Sequence, residues 1–278
     1  MTGISNKVFR MTDPCFAISA VGNHAVSAGV LSYLEAREEI TAWVYPPQSR
    51  NNDILSIWNS LFPGRVSKSP SGDVVEWNPG RQTKLHAANS STILEAACRE
   101  FGYELSVGER IQLPVLWRSR LDSRRAMIYP LEITDNNDYF DTQYWITAVH
   151  ELKSAGYKIN LFGKGHNHRD RNHHGSAMMS ALEATGLVDR SYSPTIDALK
   201  ACIAECSLAI GASTGPSWLC LFSDIEQVAL DRPRVLDTAW AFESNSRLLE
   251  KRIHVVKNKA SVISRQQGLH GDPGLEPR

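Results

Sequence analysis

The sequence predicts an α/β protein built from two doubly wound parallel sheets covered by helices. Short apolar strands alternate with helical stretches twice along the chain, once before and once after a charged segment at residues 118–125. The length of 278 residues suits two domains of ordinary size, each able to bury its own core. We therefore expect two Rossmann-like domains that face each other across a cleft.

The secondary structure of the first half is predicted from its apolar runs and from the Gly and Pro residues between them. The leader before residue 15 is polar and predicts no element, and the first strand is expected at residues 15–21. Gly22, Asn23 and His24 are then expected to form a tight turn before a helix at residues 25–37. The elements expected next are a strand at 40–45, a helix at 52–61, a strand at 74–77, a helix at 91–102 capped by Ser90 or Ser91, and an extended segment at 113–117.

The second half repeats the alternation more clearly. Its expected elements are a strand at 126–130, a helix at 142–155, a strand at 158–162, helices at 176–185 and 195–206, a strand at 208–211, a helix at 215–222 and a strand at 227–230. We predict an N-terminal domain at residues 1–122, a C-terminal domain at 123–257 and a tail at 258–278 that is polar and without periodicity.

Arginines concentrate where we place the domain boundary. Arg118, Arg120, Arg124 and Arg125 form either a solvated linker or a phosphate-facing patch beside the cleft, and the sequence alone leaves both open. The chain as a whole carries no net charge, so it has no overall electrostatic bias toward nucleic acid or an anionic membrane.

Cysteine usage and hydropathy favour a cytoplasmic protein. The five cysteines, at positions 15, 98, 202, 206 and 220, form no CxxC pair and are expected to be reduced and buried. The first 15 residues lack the apolar core of a signal peptide, and no window approaches the length of a membrane span.

The sharpest functional signal is the junction between the strand at 208–211 and the helix that follows it. Ser213, Thr214 and Gly215 are small or carry a hydroxyl, and they stand where a strand ends and a helix begins. Such a junction directs backbone N–H groups outward at the carboxyl edge of a sheet, where a diphosphate is commonly held. The alternative is that Ser213 or Thr214 simply caps the helix.

The segment from residue 196 to 230, with its central run CSLAIGASTGPSWLCLFSDIEQVAL, resembles the donor-binding segment of heptosyltransferase-like glycosyltransferases. Thr214, Gly215 and Pro216 match the family's Asp-Thr-Gly-Pro turn, but Ser213 replaces the Asp. The resemblance implies the GT-B architecture, with the nucleotide-sugar donor bound by the second domain and the acceptor by the first. It also implies a metal-independent transferase with no cofactor besides the donor substrate.

The opening turn of the chain also resembles that family. Gly22 corresponds to the family's glycine and permits close backbone approach at the cleft, for the acceptor or for the donor phosphate, and Asn23 stands where the family has its acidic candidate base. An amide cannot accept a proton at neutral pH, so His24 becomes the candidate general base. The alternative for His24 is a cap or packing role.

Further candidates follow two strands of the second half. Gly163 and Lys164 come directly after the strand at 158–162, and Lys164 could neutralise the charge of a departing diphosphate. The four histidines at 166, 168, 173 and 174 leave a metal site open as a minor alternative to a polar loop. Glu132 and Asp135 follow the strand at 126–130 at the cleft and could reach a sugar or ribose hydroxyl, or could belong to a solvated loop.

The function predicted is transfer of a sugar from a nucleoside diphosphate to a hydroxyl acceptor. The acceptor is a glycan, a small molecule or a modified DNA base, and in the last case the four boundary arginines would meet the phosphate backbone. One alternative is a sugar-nucleotide epimerase or hydrolase that uses Glu132 and Asp135. Another is a non-catalytic nucleotide-sugar binding protein, because Asn23 and Ser213 both replace acidic residues.

Overall fold

The computed structural model describes residues 5–11, 20–37, 40–45, 52–64, 73–77, 92–130, 140–163, 174–212, 214–230, 242–251 and 253–256. Within these ranges the strands form two separate sheets, of three and six strands, and every strand pair is parallel. The α/β class and the parallel sheets expected from the alternation are confirmed.

The first sheet has β1 (Ser5–Met11) at its centre, between β2 (Ile40–Tyr45) and β3 (Asp73–Trp77). The strands predicted at 40–45 and 74–77 are confirmed, but the expectation that the polar leader holds no element is wrong. β1 reads SNKVFRM, which has few apolar residues, so hydropathy does not reveal it. Pairing with a neighbour on each side satisfies its backbone and overrides its weak intrinsic preference.

Helix α1 (Ala20–Ala36) replaces the turn that we expected at Gly22, Asn23 and His24. Ala20 and Val21 are helical, so the strand predicted at 15–21 is wrong at its end, while residues 15–19 lie outside the described part. The apolar run suits a buried strand or a buried helix equally well, and periodicity cannot separate them. Because α1 is apolar on most sides and its residues from Ala25 to Leu31 are buried, it forms a core helix.

Two further helices belong to the first half. Helix α2 (Asn52–Leu61) has the predicted bounds, and helix α3 (Ile93–Glu100) is shorter than expected. The cap of α3 is Thr92, which corrects the prediction of Ser90 or Ser91. The Thr92 side chain accepts a hydrogen bond from the Glu95 N–H, and the Glu95 carboxylate accepts one from the Thr92 N–H. This reciprocal pair fixes the start of the helix.

The second sheet contains β4 (Arg125–Tyr129), β5 (Lys158–Phe162), β6 (Arg190–Tyr192), β7 (Leu208–Ala212), β8 (Glu226–Leu230) and β9 (Ile253–Val256). Their order across the sheet is β6-β5-β4-β7-β8-β9. The four strands predicted for this half are confirmed to within a residue or so. The two edge strands β6 and β9 were not predicted, because three and four residues are too few for an alternation to register.

The helices of this half are α4 (Thr142–Ser154), α5 (His174–Ala184), α6 (Ile196–Glu205), α7 (Gly215–Cys220) and α8 (Phe242–Ser246). One face of the sheet forms a core with α4 and α5, in which Ile128 and Ile210 pack near Trp145 and Leu182. The other face joins a second core with α6 and α7. Both faces of the sheet are therefore covered, as a parallel sheet requires.

The second core continues into the first half of the chain. Helix α1 packs against α7, and a Cβ on Gly29 would lie 2.8 Å from Leu113 Cδ2 and 3.0 Å from the Phe222 ring. The backbone N–H groups of Leu116 and Trp117 donate to the Phe222 carbonyl. The halves thus share apolar packing, and the predicted division at residues 122 and 123 stays a prediction.

Cysteine burial agrees with the sequence analysis. Cys98, Cys202, Cys206 and Cys220 are free thiols and buried, while Cys15 lies outside the described residues. No helix in the described part is both long and apolar enough to cross a bilayer.

Candidate functional site

The strand order of the second sheet places a crevice at the carboxyl ends of β4 and β7. The order corresponds to 3-2-1-4-5-6, in which the direction of strand succession reverses between the first and fourth strands. Here those strands are β4 and β7, which pair directly and end at Tyr129 and Ala212. Open α/β sheets bind their ligands outside the carboxyl ends of the strands at this reversal.

A buried polar cluster lies beneath this edge. Tyr129 is fully buried, and its hydroxyl oxygen accepts hydrogen bonds from Ser217 Oγ at 3.3 Å and from Gln227 Nε2 at 3.4 Å. Gln227 Nε2 also donates to the Ser217 carbonyl at 3.1 Å. Burial raises the pKa of Tyr129 far above its usual range, so the phenol stays protonated. The cluster links β4, β8 and α7 under the strand ends.

Thr214, Gly215 and Pro216 connect β7 to α7 at the crevice. Thr214 has extended backbone geometry and is the N-cap residue, and its N–H donates to Ser217 Oγ at 3.4 Å. Thr214 is 3% exposed, and its hydroxyl makes no hydrogen bond within the described part of the chain. Thr214 therefore has the backbone position of the helix cap that was the alternative prediction, but its side chain does not cap the helix. Ser213 lies outside the described residues.

Gly163 also stands at the carboxyl edge, directly after β5. Its φ of 111° is rarely adopted by other residues, and its N–H donates to the Tyr192 carbonyl at 2.9 Å. Since β5 neighbours β4, Gly163 is one strand away from the crevice. Lys164 and Glu132, predicted for the same edge, lie outside the described residues, as do the four loop histidines with the exception of the His174 backbone.

His24 is fully buried in α1. Its Nδ1 accepts a hydrogen bond from Trp58 Nε1 at 3.0 Å, and the two rings meet edge to face. Burial lowers the pKa of His24 to about 4, so the ring is neutral at pH 7. A neutral imidazole that accepts at Nδ1 carries its proton on Nε2. This geometry fits a packing role, and the catalytic role of His24 stays a prediction.

Gly22 and Asn23 share the first turns of α1 with His24. Gly22 is buried inside the helix and does not form a turn. Asn23 is helical, and the position of its side chain is not described. Their predicted roles in acceptor binding and catalysis therefore stay predictions.

The boundary arginines lie at the opposite edge of the second sheet. Arg125 is the first residue of β4, whereas the crevice is at the carboxyl end of that strand. Arg118 pairs with Asp224 at 3.2 Å and Arg120 with Asp122 at 3.5 Å. The interpretation of these arginines as a phosphate-facing patch beside the crevice is therefore wrong. Their predicted contact with DNA stays untested.

Tyr129, Gly211, Ser217 and Gln227 were not predicted as site residues. Tyr129 ends a strand just before Pro130, and Gln227 is a polar residue in a buried strand, so both carried a weak signal. Neither signal identifies its partner, because the four residues meet only when three strands and α7 pack together.

Comparison with known proteins shows the fold. By sequence, no protein-family model and no curated protein matches the chain. By structure, E. coli heptosyltransferase WaaC with ADP aligns with a TM-score of 0.56 at 11% identity, over 95% of this chain and 99% of WaaC. WaaC with ADP-2-deoxy-2-fluoro heptose gives a TM-score of 0.53 with the same identity and coverage. TibC, an iron-containing dodecameric glycosyltransferase of enterotoxigenic E. coli, gives 0.50 at 12% identity, over 82% of this chain and 59% of TibC.

The strand order, the crevice and these alignments define the chain as a protein of the GT-B fold. The particular proteins that it is similar to are heptosyltransferases, the group that the Thr214-Gly215-Pro216 segment resembles. The fold predicted from the sequence and from this resemblance is thus confirmed.

Proposed function

We propose that the protein is a glycosyltransferase that moves a sugar from a nucleoside diphosphate to a hydroxyl acceptor. The observation that carries the proposal is the position of the Thr214-Gly215-Pro216 turn, which stands at the strand-order reversal of a GT-B sheet. The similar WaaC structures hold ADP or an ADP-sugar, which makes an adenosine diphosphate the first donor nucleotide to test.

The buried Thr214 hydroxyl supports a ligand at this turn. A buried polar atom without a partner costs about 1–3 kcal/mol, and in our proposal a donor phosphate supplies the partner that the Thr214 hydroxyl lacks among the described residues. In our proposal the diphosphate is held by this hydroxyl and by backbone N–H groups of the turn. Lys164 would supply the fixed positive charge, and Gly163 would leave room for the diphosphate beside β5.

The reaction is a substitution at the anomeric carbon of the donor sugar. The acceptor oxygen forms the new glycosidic bond, the bond from the anomeric carbon to the diphosphate oxygen breaks, and the nucleoside diphosphate leaves with the bonding electrons. The acceptor proton passes to a base; His24 can serve only if its Nδ1 releases the hydrogen bond from Trp58, and water is the alternative. We further propose that no metal takes part, so transfer should persist when EDTA removes divalent cations.

A matched pair of variants tests the donor site. Thr214→Val replaces the hydroxyl with a methyl group of similar shape, so the unliganded protein should keep or gain stability. Thr195→Val removes a hydroxyl that caps α6 by accepting from the Ala198 N–H at 3.2 Å, so it should cost about 1 kcal/mol. The measurement is the rise in melting temperature caused by ADP, GDP, UDP and their sugars.

Thr214→Val should bind its nucleotide about fivefold to tenfold more weakly, and Thr195→Val should bind it as the wild type does. A wild-type protein that responds to none of these nucleotides would refute the proposal. Binding without transfer to any hydroxyl acceptor would favour the non-catalytic binding protein. Release or isomerisation of the sugar without acceptor would favour the hydrolase or epimerase.

A further inference from the structure

A concave basic pocket opens at the amino-terminal edge of the second sheet, on the side away from the proposed donor site. Its volume is about 410 Å³. The charged side chains that line it are Arg120, Arg124, Arg125, Lys158, Arg190 and Glu205. Arg120 is paired with Asp122 at 3.5 Å, so the other four cations face the one carboxylate and leave an excess of positive charge in a small space.

The parallel sheet explains why these cations meet. Arg125, Lys158 and Arg190 are the first residues of β4, β5 and β6, which are neighbours in the sheet. Arg125 and Lys158 are also register partners, so like charges face each other across adjacent strands. Strands in a sheet lie about 4.8 Å apart, so the repulsion between these side chains is appreciable.

One carboxylate compensates only part of this charge. Glu205, at the end of α6, pairs with Arg190 and lies 3.9 Å from Arg125. The buried Asn160 connects Arg125 to Glu205. Its Oδ1 accepts a hydrogen bond from Arg125 Nη1 at 2.8 Å, and its Nδ2 donates one to Glu205 at 3.3 Å. Arg125 and Arg190 are thereby fixed in position around a single negative charge.

Arg124 and Lys158 supply the uncompensated charge. Within the described residues neither has a carboxylate within 4.0 Å, and both are exposed. A Cβ on Gly156 would lie 3.2 Å from Arg124 Nη1, so this guanidinium rests over the end of α4 at the pocket. Two free cations beside two fixed ones suit an anion that carries several negative oxygens.

We propose that this pocket binds a phosphate-bearing ligand at a site separate from the donor crevice. β4 runs from Arg125 at the pocket to Tyr129 at the crevice, a rise of roughly 13 Å at about 3.3 Å per residue, so one compact ligand does not fill both. The proposal does not depend on the glycosyltransferase function, because it uses none of the residues assigned to the donor.

Pyrophosphate is the probe, and calorimetric titration at two salt concentrations is the measurement. The double variant Arg124→Ala/Lys158→Ala should bind pyrophosphate at least about tenfold more weakly than the wild type, and its melting temperature without ligand should be no lower, since like charges have been removed. Arg118→Ala is the matched control, because Arg118 belongs to the same segment, pairs with Asp224 and does not line the pocket.

The proposal is supported if the double variant loses binding while Arg118→Ala and Thr214→Val retain it. It is overturned if the wild type does not bind, if Arg118→Ala weakens binding equally, or if only Thr214→Val weakens it. Vesicles of phosphatidylcholine, with and without an anionic phospholipid, distinguish the source of the phosphate. Sedimentation of the wild type but not of the double variant with anionic vesicles would identify a lipid headgroup as the ligand.

Discussion

The ring of Tyr129 lies directly over Gly211. The two residues are register partners on β4 and β7, and a Cβ built on Gly211 would lie 1.9 Å from Tyr129 Cε2. Only glycine leaves room for the ring at this point of the sheet. Because Gly211 has no side chain, the Tyr129 ring can lie where its hydroxyl hydrogen-bonds with Ser217 and Gln227, beneath the proposed donor turn.

We predict that Gly211→Ala destabilises the protein by about 2–3 kcal/mol, because the added methyl group overpacks a site that cannot expand. Displacement of Tyr129 should also weaken the response to the donor nucleotide. Urea unfolding measures the first effect and thermal shift the second. In a Tyr129→Ala background the same change should cost much less, and equal costs in both backgrounds would mean that the ring is not the obstacle.

His24 predicts how stability depends on pH. Its pKa falls from 6.5 in the unfolded chain to about 4 in the folded protein, so between these values the unfolded chain binds a proton that the folded protein does not. Stability is therefore complete above about pH 6.5 and is lost as the pH falls, by about 2 kcal/mol between pH 7 and pH 5. In His24→Asn, whose amide oxygen can still accept from Trp58, this loss should disappear in urea unfolding at the two pH values.

The same His24→Asn variant tests the predicted general base. Asparagine cannot take up the proton of the acceptor hydroxyl. If His24 is the general base, this substitution should therefore lower kcat by about 10²- to 10⁴-fold. Because Nδ1 of His24 already accepts from Trp58, we expect kcat to change less than that. A loss in the full range, with donor binding unchanged, would restore His24 to the catalytic role.

We predict that Lys251 stabilises the folded protein through its hydrogen bonds at the far end of α7. Its Nζ donates to the carbonyls of Cys220 and Ser223, both at 2.8 Å, and burial lowers its pKa to about 8. Lys251→Met leaves both acceptors without this donor and should cost about 1–3 kcal/mol in urea unfolding. Lys200→Met is the control, since Lys200 is partly exposed beside Asp197 and Trp117, and it should cost less than about 1 kcal/mol.

Local pattern was sufficient where an element carries its own signal. Strands β2 and β5 and helix α2 have the bounds that apolar runs and flanking Gly and Pro predicted. The turn at Thr214 and Gly215 was found because small residues between a strand and a helix are a short-range feature. β1 carries no such local signal, because it is stabilised by two neighbouring strands whose paired residues lie 35 and 66 positions further along the chain.

The site was only partly predictable for the same reason. Thr214 and Gly163 could be placed at strand ends, and the structure puts both at the carboxyl edge of the second sheet. The boundary arginines could not be assigned to either edge without knowing where β4 begins. His24 was interpreted from its neighbours in the sequence, whereas its pKa is set by burial and its hydrogen bond by Trp58, far along the chain.

The sequence by itself determined the α/β class, the parallel sheets of the second half and the turn proposed to hold the donor. Periodicity and turn-forming residues can be recognised within about ten residues, and they do not depend on contacts with distant parts of the chain. Only the tertiary structure decided that Tyr129 rests on Gly211, that His24 is buried against Trp58, and that five cations share one pocket. Those relationships join residues that are far apart in sequence, and their energies depend on packing, on burial and on which strands become neighbours.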